Sequence, residues 1–193
     1  MSRERRGALG PRQRAARSGA GAPATNHDEL ETERLKLRMW RESDLDDYAE
    51  MSADPAVMRY LTLGKLFTRA EAWRSIAFFV GHWEMRGFGQ WAVEEKASGR
   101  MIGRIGFLNP EGWPGFEIGW TLARHAWGKG YATEGGRRAL EYAFTELDQR
   151  HVISLIHPDN TPSMRVAERL GETLEGNARV NEIDVLVYGV DRP

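Results

Sequence analysis

The stretch Trp127-Gly128-Lys129-Gly130-Tyr131-Ala132-Thr133-Glu134 joins a strand-like segment to a helix-like one. Residues 116–122, before it, are apolar and rich in β-formers, and residues 132–147, after it, carry apolar side chains at helical spacing. Backbone N–H groups at the start of a helix have no partner within it, and glycines let an anion approach them closely. The stretch therefore predicts an anion-binding loop, such as one that holds a phosphorylated cofactor.

The glycine spacing by itself identifies no cofactor. It matches neither the G-x-G-x-x-G fingerprint nor the G-x-x-x-x-G-K-[ST] loop, and an ordinary strand-to-helix turn is the alternative interpretation. Further along the chain, residues 151–156 form a second strand-like run, which leads into a helix-like segment at 160–170. This second strand–helix unit favours the functional interpretation.

Three local matches resemble the GNAT N-acetyltransferase superfamily, and more closely its Rim-type branch of ribosomal-protein N-terminal acetyltransferases. Residues 31–38 (E-T-E-R-L-K-L-R) are similar to the opening strand of that branch. Residues 118–134 are similar to its acetyl-CoA pyrophosphate loop and the strand before it, and residues 160–171 to the helix beneath the acyl site. The matches occur in the order and spacing of the family.

Two positions depart from the family's pattern. Trp127 stands where the wider superfamily has Gln or Arg, although the Rim-type branch accepts this change. Glu172 stands where the family has an aromatic residue after Leu-Gly. The second change is expected to affect local packing more than cofactor binding.

The predicted fold class is α/β, with a GNAT-like mixed, mostly antiparallel central sheet of about seven strands flanked by helices. Strands are expected at 34–40, 88–95, 101–108, 116–122, 151–156, 172–174 and 183–190. Helices are expected at 45–51, 72–85 (after a capping box that begins at Thr68), 132–147 and 161–170. Because a helix links the fourth and fifth strands, these two should run parallel. The resemblance implies that they splay apart around the cofactor.

Composition divides the chain of 193 residues into two parts. Residues 1–27 consist mainly of Arg, Ala, Gly, Ser and Pro and carry a net charge of +5. They are predicted to be a disordered tail, with a targeting or nucleic-acid-binding arm as the alternative. Residues 28–193 are predicted to be one GNAT acetyltransferase domain, with a net charge of −6 given the −1 of the whole chain.

Composition also excludes several kinds of site. The chain has no cysteine, so it has no disulfide framework, no thiol nucleophile and no metal–thiolate centre. No apolar run is long enough to cross a bilayer, and no histidine spacing suggests a metal site. A cytoplasmic protein without membrane, metal or nucleic-acid partners is expected, and a homodimer is left open.

The resemblance implies an N-acetyltransferase that uses acetyl-CoA as co-substrate and a primary amine as acceptor. The acceptor would be a protein N-terminus or a small-molecule amine, which attacks the thioester directly. The alternative function is a catalytically weak acyl-CoA-binding or regulatory module on the same fold.

By the same resemblance, cofactor-binding residues are expected at the end of the fourth strand, in the loop and before the last helix. They are Leu122, Trp127, Gly128, Lys129, Gly130, Tyr131, Ala132, Thr133 and Asn160. A backbone N–H near Leu122 would donate to the oxyanion, and Asn160 would bind the pantetheine amide. Lys129 either attracts phosphate or is a solvated loop charge.

Three residues are candidates for catalysis: Ser163, Asn160 and Glu117. The resemblance assigns Ser163 to the leaving thiolate, whereas Asn160 followed by Ser163 is also a good N-cap arrangement. Glu117 is either the general base or a solvated strand residue. Trp113, in a Gly/Pro turn, is expected to line a substrate mouth.

Overall fold

The structure, a computed structural model, describes residues 28–193, so the predictions for residues 1–27 lie outside the described part of the chain. Eight strands form one sheet in the order β1-β2-β3-β4-β5-β6-β8-β7. They are β1 Leu30–Glu31, β2 Leu35–Arg38, β3 Gln90–Glu95, β4 Arg100–Leu108, β5 Glu117–Leu122, β6 His151–Ile156, β7 Thr173–Val180 and β8 Ile183–Asp191. The helices are α1 Leu45–Ser52, α2 Pro55–Met58, α3 Arg69–Arg86, α4 Tyr131–Thr145 and α5 Thr161–Leu170.

The mixed, mostly antiparallel sheet is confirmed, with one strand more than expected. The additional strand is β1, two residues long, whose Leu30 pairs with Leu37. β7 is longer than the predicted 172–174, because a hairpin turn at Asn181 and Glu182, both with positive φ, continues its pairing with β8 to Val180. The side chains of β7 are largely exposed, so its sequence lacks the apolar alternation by which strands are recognised.

Two main clusters of apolar side chains hold the helices to the sheet. The larger one brings α4, through Ala139 and Leu140, against strand residues such as Ile105 and Ile118. At Gly135 a Cβ would lie 2.6 Å from Ile105 Cδ1, so this glycine lets α4 approach the sheet closely. The second cluster joins α1 and α3 to the sheet, and it includes the aromatic residues Trp40, Tyr48 and Phe79. The core thus fixes the start of α4 relative to the strands that precede and follow it.

β5 and β6 run parallel, as predicted, and they part soon after they meet. Glu117 pairs with Ile153, and the Ile153 N–H donates to the Phe116 carbonyl at 3.0 Å. Beyond this pair the register of β5 with β6 does not continue within the described chain. The predicted splay towards the carboxyl ends of these strands is therefore confirmed.

None of the helices between residues 28 and 193 combines the length and apolarity needed to cross a membrane. Over the same residues, no group of His, Asp and Glu side chains is arranged to hold a metal ion.

Candidate functional site

An open cleft of about 1430 Å³ lies at the carboxyl end of β5, where ligands commonly bind in α/β proteins. It is bounded by the N-terminal part of α4, by α5, and by residues 56–57 and 59–61. The structure brings most of the predicted site residues to this cleft: Leu122, Trp127, Gly128, Gly130, Tyr131, Ala132, Thr133, Asn160 and Ser163. Lys129 and Glu117 are not among the residues that line it.

The start of α4 presents unpaired backbone donors to the cleft. Gly128 and Gly130 have φ values of 74° and 82°, a left-handed conformation that favours glycine. The first bond within the helix runs from the Glu134 N–H to the Gly130 carbonyl, so the three N–H groups of residues 131–133 have no partner within the helix. Gly130 has no side chain that could cap them, whereas α3 and α5 are capped by Thr68 and Asn160. This helix end is suited to bind an anion.

A network that begins on the chain before β2 fixes the shape of the loop. Glu134 accepts hydrogen bonds from Thr32 Oγ1 at 2.6 Å and from the Arg34 N–H at 2.9 Å. Arg34 Nη1 also donates to the Lys129 carbonyl at 3.0 Å, and its guanidinium lies over the Tyr131 ring. Burial alone would raise the pKa of Glu134, but the hydrogen bonds from Thr32 and Arg34 lower it. The carboxylate therefore remains charged and holds the loop in place.

Arginines flank the cleft. Arg137 and Arg138 on α4 and Arg165 and Arg169 on α5 all line it, so their charges suit an anionic ligand. The ammonium group of Lys129 instead lies 3.6 Å from a Glu95 oxygen, and its role in attracting phosphate stays a prediction.

The backbone of β5 turns polar groups into the gap between β5 and β6. The Ala123 N–H donates to the Ile102 carbonyl at 2.8 Å, and bonded and non-bonded pairs alternate in an antiparallel ladder. Leu122 and Gly103 therefore form a non-bonded pair, and the N–H and C=O groups of Trp120 and Leu122 point away from β4 towards β6. The Leu122 carbonyl accepts from Trp127, so the Leu122 N–H and the N–H and C=O of Trp120 are the groups that can hydrogen-bond a ligand in the gap.

Trp127 connects the end of β5 to the glycine loop. Its indole N–H donates to the Leu122 carbonyl at 2.7 Å, while 47% of the residue remains exposed. The residue that departs from the wider superfamily thus closes the turn between strand and loop.

Asn160 and Ser163 both line the cleft at the start of α5. The Ser163 N–H donates to Asn160 Oδ1 at 3.3 Å, which confirms the N-cap arrangement. The cap uses the Ser163 backbone and leaves its hydroxyl free of that role. The proposed contact of Ser163 with the leaving group stays a prediction.

Glu117 is buried, so the expectation of a solvated strand residue is wrong. Its backbone pairs with β4 on one side and β6 on the other, and Trp113 Nε1 donates to its carboxylate at 2.7 Å. Burial raises the pKa of Glu117 to about 7; the Trp113 N–H, Arg104 and the Leu155 N–H oppose this shift, and Glu172 adds to it. A carboxyl group with such a pKa can exchange a proton at neutral pH.

Comparison with known proteins identifies the family. The family model described as an acetyltransferase (GNAT) domain matches residues 34–173. The Bacillus licheniformis protein named uncharacterized N-acetyltransferase p20 is 30% identical over 83% of this chain and 94% of its own length. The Bacillus subtilis uncharacterized N-acetyltransferase YnaD is 31% identical over 76% of this chain and 84% of its own.

Solved structures share the same fold. An acetyltransferase from Agrobacterium tumefaciens has a TM-score of 0.76 and 31% identity, covering 86% of this chain and 95% of its own. RimL, a ribosomal L7/L12 alpha-N-protein acetyltransferase solved with coenzyme A, has a TM-score of 0.71 at 20% identity, covering 85% and 98% of the two chains. The chain therefore belongs to the GNAT family of acetyltransferases.

Proposed function

We propose that this protein transfers an acetyl group from acetyl-CoA to a primary amine, as an acyltransferase that forms no acyl-enzyme. The observation that carries the proposal is the uncapped start of α4 beside the splayed end of β5. Relatives named as N-acetyltransferases and the coenzyme A complex of RimL support this choice of cofactor and reaction.

The residues present fit acetyl-CoA along the whole cleft. The free N–H groups of residues 131–133 and the arginines of α4 and α5 would hold its phosphates. The backbone groups of Trp120 would hydrogen-bond its extended arm, and Asn160 has an amide N–H₂ left to donate because its oxygen caps α5. When bound, acetyl-CoA supplies an activated thioester.

The chemistry then needs three groups from the protein. Glu117 would accept the proton of the acceptor amine through water, since its side chain does not line the cleft. The Leu122 N–H, which points into the gap, would be the donor for negative charge on the thioester oxygen. Ser163 would be the hydrogen-bond donor to the departing sulfur.

We propose a protein or peptide N-terminus as the preferred acceptor. An α-amino group has a pKa of about 7.7–8.0, whereas a lysine side chain has a pKa of about 10.4. A carboxyl group with a pKa of about 7 accepts a proton from the first far more readily than from the second. The fold shared with RimL agrees with an N-terminal acceptor.

Release of free CoA thiol from acetyl-CoA tests this proposal. Peptides with a free α-amine should release thiol, and the same peptides blocked by N-acetylation should not. Polyamines and aminoglycosides serve as the small-amine arm, and activity with these alone would contradict an N-terminal acceptor. Binding of acetyl-CoA without thiol release for any amine would favour the acyl-CoA-binding module instead.

A further inference from the structure

A second buried carboxyl group lies where β5 and β6 part. Only 3% of Glu172 is exposed, and its Oε1 lies 3.0 Å from Ser154 Oγ. Ser154, 2% exposed, lies 3.0 Å from the Ile118 carbonyl oxygen. The other carboxyl oxygen of Glu172, Oε2, has no hydrogen-bond partner among the described residues. Ile118 on β5, Ser154 on β6 and Glu172 just before β7 thus form one hydrogen-bonded array.

The number of protons available to Glu172, Ser154 and the Ile118 carbonyl limits which of these hydrogen bonds can form together. A serine hydroxyl has one proton to donate, and a carbonyl oxygen can only accept. Ser154 Oγ lies within donor distance of both oxygens, but its single proton can go to only one of them at a time. Both hydrogen bonds form together only when Glu172 is protonated and donates to Ser154, because an ionised carboxylate can only accept.

This hydrogen-bonded array lies where the parallel ladder between β5 and β6 ends. After the bond from the Ile153 N–H to the Phe116 carbonyl, the next regular donor to β5 would be the Leu155 N–H, and its acceptor would be the Ile118 carbonyl. Instead, Ser154 Oγ donates to the Ile118 carbonyl, and the Leu155 N–H is directed at the Glu117 carboxylate. Side chains have replaced the ladder bonds that would otherwise close the gap.

We propose that Glu172, in its protonated form, is a positioning residue that acts through Ser154 and Ile118 to fix the point at which β5 and β6 separate and admit the cofactor. This inference rests on the proposed function for the identity of the cofactor.

The electrostatic surroundings agree with a neutral Glu172. Burial raises its pKa to about 7, and the charge of Glu175 on β7 adds to the rise. A hydrogen bond donated by Ser154 to the ionised carboxylate acts in the opposite direction and lowers the pKa. Glu117 on β5 also faces the pair, with Arg104 beside it, and His151 on β6 contacts Glu175. Because the folded pKa is raised above the ordinary value of 4.5, the neutral form prevails below pH 7 and is lost as the pH rises through about 7. Once Glu172 ionises, the Ser154 hydroxyl donates to the Glu172 carboxylate, and the Ile118 carbonyl loses this donor.

Two substitutions and a control test the proposal by calorimetric binding of acetyl-CoA at about pH 6 and pH 8.5. Glu172→Gln keeps a donor for Ser154 but cannot ionise, and Glu172→Leu keeps similar bulk without a donor. Glu182→Gln, in the exposed β7–β8 turn, is the matched control. Between the two pH values the wild type should lose at least about fivefold more affinity than Glu172→Gln, and the control should follow the wild type. Glu172→Leu should bind weakly at both.

Equal pH dependence in the wild type and in Glu172→Gln would overturn the inference, as would normal binding by Glu172→Leu at pH 6. The ¹³C resonance of the Ile118 carbonyl gives a readout that needs no cofactor. Glu117, next to Ile118 and with a pKa of about 7, titrates in all three proteins. The resonance should therefore move further with pH in the wild type and in Glu182→Gln than in Glu172→Gln. If that pattern appears but none of the proteins binds acetyl-CoA, the proposed function fails and the positioning role stands; a resonance that moves equally in all three contradicts the role itself.

Discussion

Gly128→Asp is expected to weaken acetyl-CoA binding by at least about tenfold, or about 1.4 kcal/mol. Gly128 lines the cleft, and a Cβ there would meet no protein atom within 4 Å. A carboxylate at this position would therefore enter the space that the cofactor phosphates need and repel their charge. Calorimetric titration with acetyl-CoA measures the loss.

The matched control for this substitution is Gly99→Asp. Gly99 also has a left-handed φ, of 67°, and a Cβ there would also meet nothing within 4 Å, but it lies in the turn between β3 and β4, outside the cleft. Both variants carry the same backbone strain and the same added charge, so only a local effect on the cofactor separates them. Equal affinities of the two variants for acetyl-CoA would show that the glycine loop does not bind the cofactor.

Ser163→Ala is expected to lower kcat by roughly ten- to a thousandfold, with acetyl-CoA affinity little changed. The serine hydroxyl would contact the sulfur mainly while charge develops there, and an interaction made in the transition state appears in turnover rather than in binding. The cap of α5 survives this change, because Asn160 Oδ1 accepts from the Ser163 N–H and not from its hydroxyl. Steady-state kinetics and thermal unfolding on the same protein measure both quantities.

Thr161→Ala is the control for Ser163→Ala, since Thr161 also carries a hydroxyl in the first turn of α5 but does not line the cleft. It should retain its turnover. Asn160→Ala, in contrast, should lose about 1 kcal/mol of stability because it removes the cap. A Ser163→Ala enzyme with normal kcat would assign the leaving-group contact to another residue.

Much of the fold was predictable because its signals are local. The apolar spacing of α4, the capping box at Thr68 and the strand predicted at 101–108 each depend on residues close in sequence, and all three appear as expected. β1 and α2 were not predicted, since two and four residues are too few to show a period. Their formation depends on tertiary neighbours, such as the Leu30–Leu37 pair with β2.

The site was predictable where its residues are consecutive and not where they are distant. The glycine loop is one such stretch, whereas the contact of Arg34 with Glu134 joins residues 100 positions apart. The burial of Glu117 was missed because a single charge in a strand resembles an ordinary solvent-facing position, and only the arrival of β6 and Trp113 encloses it. The hydrogen-bond chain from Glu172 through Ser154 likewise exists only after β5, β6 and the start of β7 have come together.

A thermal melt with and without acetyl-CoA tests the central claim most directly. A ligand that binds only the folded state at about a hundredfold excess over its Kd stabilises it by roughly 2.7 kcal/mol, which raises the Tm of a chain of this length by about 5–10 °C. Acetyl-CoA should produce this rise in the wild type and at most about half of it in Gly128→Asp, where a tenfold weaker Kd leaves only about a tenfold excess of ligand. NAD and ATP should leave the Tm nearly unchanged. A rise with NAD or ATP, with none for acetyl-CoA, would contradict the account.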